Sequence, residues 1–489
     1  MLNRNIMRKQ INTLREKIND TYRTESALFV VSVIFRVSIL IFFIWWGSVV
    51  GDFDGRSRTI FPSVGGDSAD YTIVTHNILS HGVFSSDQDE TRLLPASFRT
   101  PGYPLFLVPF AIIGDGYYDA ALMQIILSSA SVVLMYILAR RFLSRRIASV
   151  AAWLFVFEPV SAYYANIVLS DTLYVFLQLS ALVILFQNKR RLTAPDGLLG
   201  GALIGFAILV RPIGQFLPIP IAVGLYLLYR TKGKRLLQTI TLFLIGVLLV
   251  VSPWMIRNYR IFHTPALSSV PAVSFVSYFA PLYYAHKTGD TFENAQHLFN
   301  SRVQENYHDL SFRSLGNVGK MNESVFRYIK EDTFGFARYY LIKTIPFYVT
   351  DGIRNVGYTT RLIQSDGTPP NYSDYLLSGD WQGLFRALRH VTTPVALLIV
   401  GSGFWSLVLF ALCVGFIWGM IVERNQTRLF ILSSFLLVLY YAVLTGPVAE
   451  ARYRMPAEPF MFILAVYGAL QIYAKINKNN ETTLHYAKG

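Results

Sequence analysis

The chain has one cysteine in 489 residues, Cys413. That excludes an internal disulfide and a CxxC metal or redox site. Cys413 sits in an apolar run, where a thiol serves as a small apolar side chain. Charge is also scarce: 15% of residues are Asp, Glu, Lys or Arg, against about a quarter in soluble globular chains. No Gly-rich phosphate loop follows a strand-like run, which argues against a nucleotide cradle of that kind. Internal repeats, heptad arrays and low-complexity tracts are absent as well, which excludes solenoid and coiled-coil designs. The polar, basic residues 1–25 precede the first apolar run, and no small-residue cleavage site follows it. The first span is therefore expected to be retained rather than removed as a signal peptide.

What the chain does have is apolar residues, 53% of the total, gathered in long blocks. A bilayer crossing takes about 20 of them in a helix. Spans are expected near 26–50, 117–139, 147–165, 171–187, 197–211, 213–230, 236–256, 394–421, 429–447 and 456–474. The expected fold class is an all-α polytopic membrane protein with about ten transmembrane helices. Arg36 falls inside the first span, so that face should point into the protein and away from lipid. Residues 103–113 are too few to cross and are expected to be re-entrant or interfacial. Arg211-Pro212 interrupts the apolar stretch 197–230, as a helix break lining a polar cavity would.

The net charge of +14 admits nucleic acid or acidic lipid as a partner. Position decides between them. Half of the 44 Lys and Arg fall in six short segments, 1–25, 139–146, 188–196, 230–235, 422–428 and 475–489. These alternate with loops poor in Lys and Arg, as the positive-inside rule requires. The excess is thus a topology signal, membrane lipids are the expected surroundings, and nucleic acid is not an expected partner.

This topology divides the chain into a cytoplasmic segment 1–25, a transmembrane module 26–256 with an outer loop 51–116, an extracytoplasmic domain 257–393, C-terminal transmembrane helices 394–474 and a cytoplasmic tail 475–489. The stretch 257–393 is too long for an idle connector. It is expected to be a small domain or a set of surface helices, helical over 322–343 and turn-rich over 366–374.

Five outer-face elements carry candidate chemistry. In Gly66-Asp67-Ser68-Ala69-Asp70-Tyr71, helical spacing puts Asp67, Asp70 and Tyr71 on one face. Such a carboxylate can accept a proton from an attacking hydroxyl or ligate a divalent cation; Asp67 can also serve simply as a helix cap. His76 and His81 follow, in a spacing that matches no standard zinc pattern. The turn Arg99-Thr100-Pro101-Gly102-Tyr103-Pro104 offers an arginine suited to phosphate. Glu158-Pro159, Tyr163-Tyr164 and Asp171 surround a third turn, where solvation at the interface is the simpler reading of each acid. Arg211 is the fourth element. The fifth is Glu450-Ala451-Arg452-Tyr453-Arg454, a short outer loop in which arginines are statistically disfavoured. An anionic ligand accounts for Arg452 and Arg454, as does pairing with Glu450 or Glu458. Trp254, Arg257 and Asn258 end another span on the same side. Acids and arginines that converge there would suit a substrate with a phosphate, a sugar and a lipid tail.

Taken in order, these pieces resemble the GT-C superfamily of polytopic glycosyltransferases. They are most similar to the bacterial branch that includes dolichyl-phosphate-mannose protein mannosyltransferase-like and lipid A aminoarabinose transferases. Asp67-Ser68-Ala69-Asp70-Tyr71, Arg99-Thr100-Pro101-Gly102-Tyr103-Pro104, Ser170-Asp171, Arg211-Pro212, Arg257-Asn258 and Arg452-Tyr453-Arg454-Met455-Pro456 carry the resemblance. It implies inverting transfer of a sugar from a polyprenyl-phosphate donor to a lipid, glycan or protein acceptor. It also implies a bacterial inner-membrane location with the site on the periplasmic face. By resemblance, Asp67 takes the place of the first-loop acid that serves as base or helps to position the acceptor; Asp70, on the same helical face, is the second catalytic candidate. Arg99, Tyr103, Glu158, Asp171, Arg211, Arg257, Arg452 and Arg454 are candidates for substrate, the arginines for the donor phosphate. Ser68 stands where the family commonly has a second acid after the first. No cofactor is therefore firmly implied, and a divalent metal on Asp67 stays open. The rival readings are a transporter or flippase of lipid-linked glycans, which should show paired broken helices in two related halves, and a polymerase of such glycans.

Overall fold

A computed structural model describes residues 2–50, 66–114, 117–186, 193–306, 313–350, 380–383, 393–448 and 450–486, with residues 352, 356 and 386. Among the described residues every regular element is a helix, and there is no strand. In chain order the first ten α-helices are α1 (Leu2–Val50), α2 (Asp67–His81), α3 (Gly102–Ile113), α4 (Tyr118–Phe142), α5 (Arg145–Val156), α6 (Pro159–Tyr164), α7 (Asp171–Phe186), α8 (Ala194–Val210), α9 (Pro218–Tyr229) and α10 (Lys234–Phe262). Helices Thr393–Val422, Asn425–Thr445 and Glu458–Tyr486 complete the bundle.

Six helices among the described residues are long and apolar enough to cross a membrane: Arg23–Ser48 within α1, α4, α10, Gly403–Val422, Asn425–Thr445 and Glu458–Asn477. α3, α7, α8 and α9 are shorter apolar helices. The chain is a multi-pass membrane protein. Its outward faces are what lipid requires, with Ile34, Ile41, Leu237, Leu248, Leu249 and Leu407 all exposed; water would penalise so much uncovered apolar surface.

Helix Glu458–Tyr486 runs through the centre, and every residue from Phe460 to Tyr467 is buried. A helix apolar on all sides needs neighbours on all sides, and here α5 and helix Thr393–Val422 supply much of that cover. α8 and α10 approach backbone to backbone. A Cβ on Gly201 would lie 2.0 Å from the Phe243 carbonyl oxygen, and one on Gly246 would lie 2.3 Å from that of Leu198. Small residues at such a crossing let two helices pack where no hydrophobic drive separates them from lipid. Arg36 does face inward. Its guanidinium donates to Ser128 Oγ at 2.7 Å, Ser32 Oγ at 2.6 Å and the Val156 carbonyl at 3.3 Å.

Three expected boundaries shift for physical reasons. The span expected over 147–165 is two helices, because Pro159 cannot continue α5 and Glu158, in extended conformation, instead caps α6 by accepting from the Ser161 amide. α10 continues to Phe262, so Arg257 and Asn258 sit on its last turns, inside a helix and not in the stretch that follows. The helix expected over 322–343 is split, into Val318–Glu331 and Thr333–Lys343. Asp332 makes the break by accepting the Gly335 amide at 3.0 Å. The turn-rich stretch 366–374 lies outside the described residues. The helices between α10 and Thr393 have small cores of their own, one around Val276, Phe299, Met321 and Val325 and another around Phe279, Tyr283, Phe336 and Tyr339.

Candidate active site

Gly66 opens the site. It precedes α2 with φ 52° and ψ −122°, a conformation open to glycine and strained for residues with a Cβ. The turn places Asp67 and Asp70 in the first helical turn, where carboxylates also complement the helix dipole. α2 is fixed from below: Tyr71 is buried, its hydroxyl 3.0 Å from Ser170 Oγ, and its ring meets that of Tyr103 edge-on at 4.7 Å.

Arg99 comes from the loop before α3. Gly102 lets that loop touch the end of α8, since a Cβ there would lie 2.6 Å from the Leu209 carbonyl carbon. The contact sets Arg99 and Arg211 on adjoining walls. Arg211 follows α8 in extended conformation, and Pro212 begins a short 3-10 turn that leads to α9. Asp171 begins α7 and is fully buried. Arg452 sits in the four-residue helix Ala451–Arg454.

These side chains form one continuous chain of charge. Arg99 pairs with Asp67, and with Asp70 at 2.9 Å. Arg452 reaches the other oxygen of Asp67 at 2.8 Å and, through Nε, Asp171 at 2.9 Å. Arg211 closes the row on the other oxygen of Asp171. At the far end Arg313, from the stretch between α10 and helix Thr393–Val422, also pairs with Asp70. The guanidiniums lie near aromatic rings: Arg99 is 5.0 Å from the centroid of Tyr71, Arg211 5.8 Å from Tyr453, and Arg452 5.9 Å from Tyr164.

Burial by itself would raise the Asp67 carboxyl, but the Arg99 and Arg452 charges and hydrogen bonds outweigh it and hold the group well below the usual carboxylate range. Glu450, next to the cluster, moves the other way. Burial pushes its carboxyl up, the Asp67 charge adds to the rise, and Arg452 opposes it. Three aspartates thus face four arginines. A dianion brought here would meet donors already desolvated and aimed by ion pairs.

The structure brings together Asp67, Asp70, Arg99, Asp171, Arg211 and Arg452. The remaining sequence candidates have other partners. Tyr103 is buried and donates to Gln124 at 2.6 Å. Glu158 caps α6. Arg257 donates to the Ala96 carbonyl at 2.8 Å and lies over the Trp254 ring at 4.5 Å, so it braces the loop that carries Arg99. Arg454 points away from Arg452. It is fully buried against Glu458 at 3.3 Å, the Thr350 carbonyl at 2.7 Å and the Trp405 ring at 3.5 Å. Arg313 has no sequence signature, being one arginine among several in the long stretch 257–393.

A divalent metal on Asp67 does not fit this donor set. Each Asp67 oxygen faces a guanidinium, and arginines outnumber the aspartates around it. A cation would need carboxylate oxygens clear of positive charge.

Fold and site together define a polytopic membrane protein with an arginine–aspartate cluster at one end of its bundle. Residues 99–256 match the family described as dolichyl-phosphate-mannose-protein mannosyltransferase. The GT-C resemblance carried by the motifs is borne out over that segment, which contains Arg99, Asp171 and Arg211. No curated protein matches the chain. Among solved structures, it is similar to the oligosaccharyltransferase of Archaeoglobus fulgidus in its apo form, with 15% identity, a TM-score of 0.49 and coverage of 93% of this chain and 52% of that one. The same archaeal protein, AglB, in complex with an inhibitory peptide and a dolichol-phosphate gives 13%, 0.48, 93% and 52%. ArnT from Cupriavidus metallidurans bound to undecaprenyl phosphate gives 15%, 0.35, 89% and 76%. The chain spans about half the length of the archaeal enzyme.

Proposed function

We propose that this protein is an inverting glycosyltransferase that moves a sugar from a polyprenyl-phosphate donor to a lipid, glycan or protein acceptor. Its site lies on the membrane face opposite the basic segments, the periplasmic face of a bacterial inner membrane. The observation that supports this best is the shared grip of Arg452 on Asp67 and Asp171, with Arg211 next in the row. The phosphodiester of a polyprenyl-phosphate sugar would compete with the two aspartates for Arg211 and Arg452. It would draw hydrogen bonds from both guanidiniums and loosen the hold of Arg452 on Asp67. The freed Asp67 oxygen then becomes basic at the moment the donor is in place.

In the reaction, the acceptor hydroxyl or amine attacks the anomeric carbon from the side away from the phosphate. The bond between that carbon and the phosphate oxygen breaks, and its electron pair leaves with the polyprenyl phosphate. The acceptor proton passes to Asp67. The arginines stabilise the charge that grows on the departing phosphate, the point where fixed donors act most strongly. Single displacement inverts the anomeric centre. Asp70, held by Arg99 and Arg313, positions Arg99 and keeps α2 against the outer domain.

The test uses membranes supplied with a radiolabelled polyprenyl-phosphate sugar, comparing the wild type with Asp67→Asn. Wild-type membranes should transfer label and the variant should lose most of that activity. Equal transfer by both removes Asp67 from the chemistry. Movement of intact donor across the bilayer without its consumption would instead establish a transporter.

A further inference from the structure

The far end of α2 carries a second cluster that the proposed transfer does not use. His76 and His81 lie one and a half turns apart, and Glu90 reaches both from the loop that follows. His76 Nε2 is 3.4 Å from Glu90 Oε1, and His81 Nε2 is 3.6 Å from Glu90 Oε2. All three potential ligand atoms lie within 4.8 Å of one another. In a tetrahedral zinc site with bonds of 2.0–2.2 Å, ligand atoms sit roughly 3.4 Å apart. Each imidazole nitrogen is thus already near that length from one Glu90 oxygen, and rotations of these exposed side chains bring one atom of each residue onto a shared ion.

The loop that presents Glu90 is built from its own side chains. The buried Asn77 amide donates to the Ser85 and Asp87 carbonyls at 3.0 and 2.9 Å. Asp87 accepts the Leu94 amide at 2.7 Å, and Asp89 accepts the Thr91 amide at 3.0 Å and its hydroxyl at 2.6 Å. Asp87 and Asp89 are occupied in shaping the loop, while Glu90 is left facing the two imidazoles. Among the described residues this is the one such group of three.

We propose that His76, His81 and Glu90 form a binding site for a borderline divalent cation of the zinc class. Two imidazoles and a carboxylate favour zinc over calcium or magnesium, which take all-oxygen shells. Three protein ligands leave the fourth position to water. The ion ties the C-terminal end of α2 to the loop 83–97, whose two limbs lead to Asp67 at one end and Arg99 at the other. Its role is to hold these limbs together, apart from the transfer chemistry.

The full-length protein, purified in detergent with a tag that contains no histidine and stripped by a chelator, is titrated with zinc against a chromogenic zinc indicator. The wild type should take up one tight equivalent and melt at a higher temperature with zinc than without. His76→Ala/His81→Ala should lose both effects. Glu90→Gln should weaken binding by at least the ~10-fold typical of losing a supporting partner. His297→Ala, an exposed histidine on a separate helix, should behave as wild type. Equal uptake by the wild type and the double variant, or no tight uptake by the wild type, overturns the site. No sugar donor enters the assay, so its outcome is separate from that of the transferase reading.

Discussion

At the residue scale the central fact is that Asp67 is held between Arg99 and Arg452. If it accepts the acceptor proton, Asp67→Asn should lower kcat by about 100-fold or more, while Asp70→Asn, whose ion pairs among the described residues are with Arg99 and Arg313, should lower it far less. Turnover of labelled donor checks both. The ion pairs also set a pH dependence. A carboxyl held below its ordinary value adds stability above that value, near pH 4, and loses it as pH falls further. The difference in melting temperature between the wild type and Asp67→Asn should therefore be steady from neutral pH to about 5 and shrink below about 4. The sequence marked Asp67 and Asp70 by helical spacing, Arg99 by its Pro-Gly turn, Arg211 by the following Pro and Arg452 as a charge against the positive-inside rule. Arg313 carried no such mark, because an arginine in a long polar loop is ordinary until folding puts it beside Asp70.

At the element scale, function depends on short breaks in apolar helices. Arg211-Pro212 and Glu158-Pro159 interrupt what would otherwise be continuous spans; the first reads as a helix break from sequence, whereas the second falls inside a single expected span and is made two helices by proline sterics and the Glu158 cap. Gly102 brings the Arg99 turn against the end of α8. Gly102→Ala forces a methyl into 2.6 Å contact with the Leu209 backbone, so it should reduce donor turnover by displacing Arg99 while leaving membrane insertion intact. Gly201→Ala meets the Phe243 carbonyl oxygen at 2.0 Å and should destabilise the α8–α10 pair by roughly 1–3 kcal/mol, seen as a lower melting temperature in detergent. The break at Asp332 has its own acid signature. Hydrogen bonds from the Tyr283 hydroxyl, Lys287 and the Gly335 amide hold its carboxyl down at about 2. That contribution is complete above the ordinary carboxylate range and is lost as pH falls toward 2.

At the scale of the whole molecule, one short helix serves two ends. Arg452 projects into the site, while Arg454, two residues on, is fully buried among Glu458, Trp405 and the carbonyls of Phe347 and Thr350. The buried pair anchors the entry to the central helix and the segment 347–350 to each other. Arg454→Met leaves Glu458 buried without that partner and should destabilise by about 3–5 kcal/mol. The double variant Arg454→Met/Glu458→Met should recover part of the loss. Thermal unfolding in detergent checks both, and a site displaced with the anchor should show a raised KM for donor.

The order of apolar blocks, the alternation of basic segments and the kinds of residue on the outer face were determined by sequence alone. Hydrophobic length and charge asymmetry act locally along the chain, so they can be read without knowing what packs against what. The tertiary structure decided which charges meet. Arg452 and Arg454 are neighbours in a short loop and equal candidates by composition. Only the packing of α2, α7 and the central helix sends one to Asp67 and Asp171 and the other to Glu458. Ion pairing between segments hundreds of residues apart depends on distance and burial, and neither is encoded in spacing along the chain.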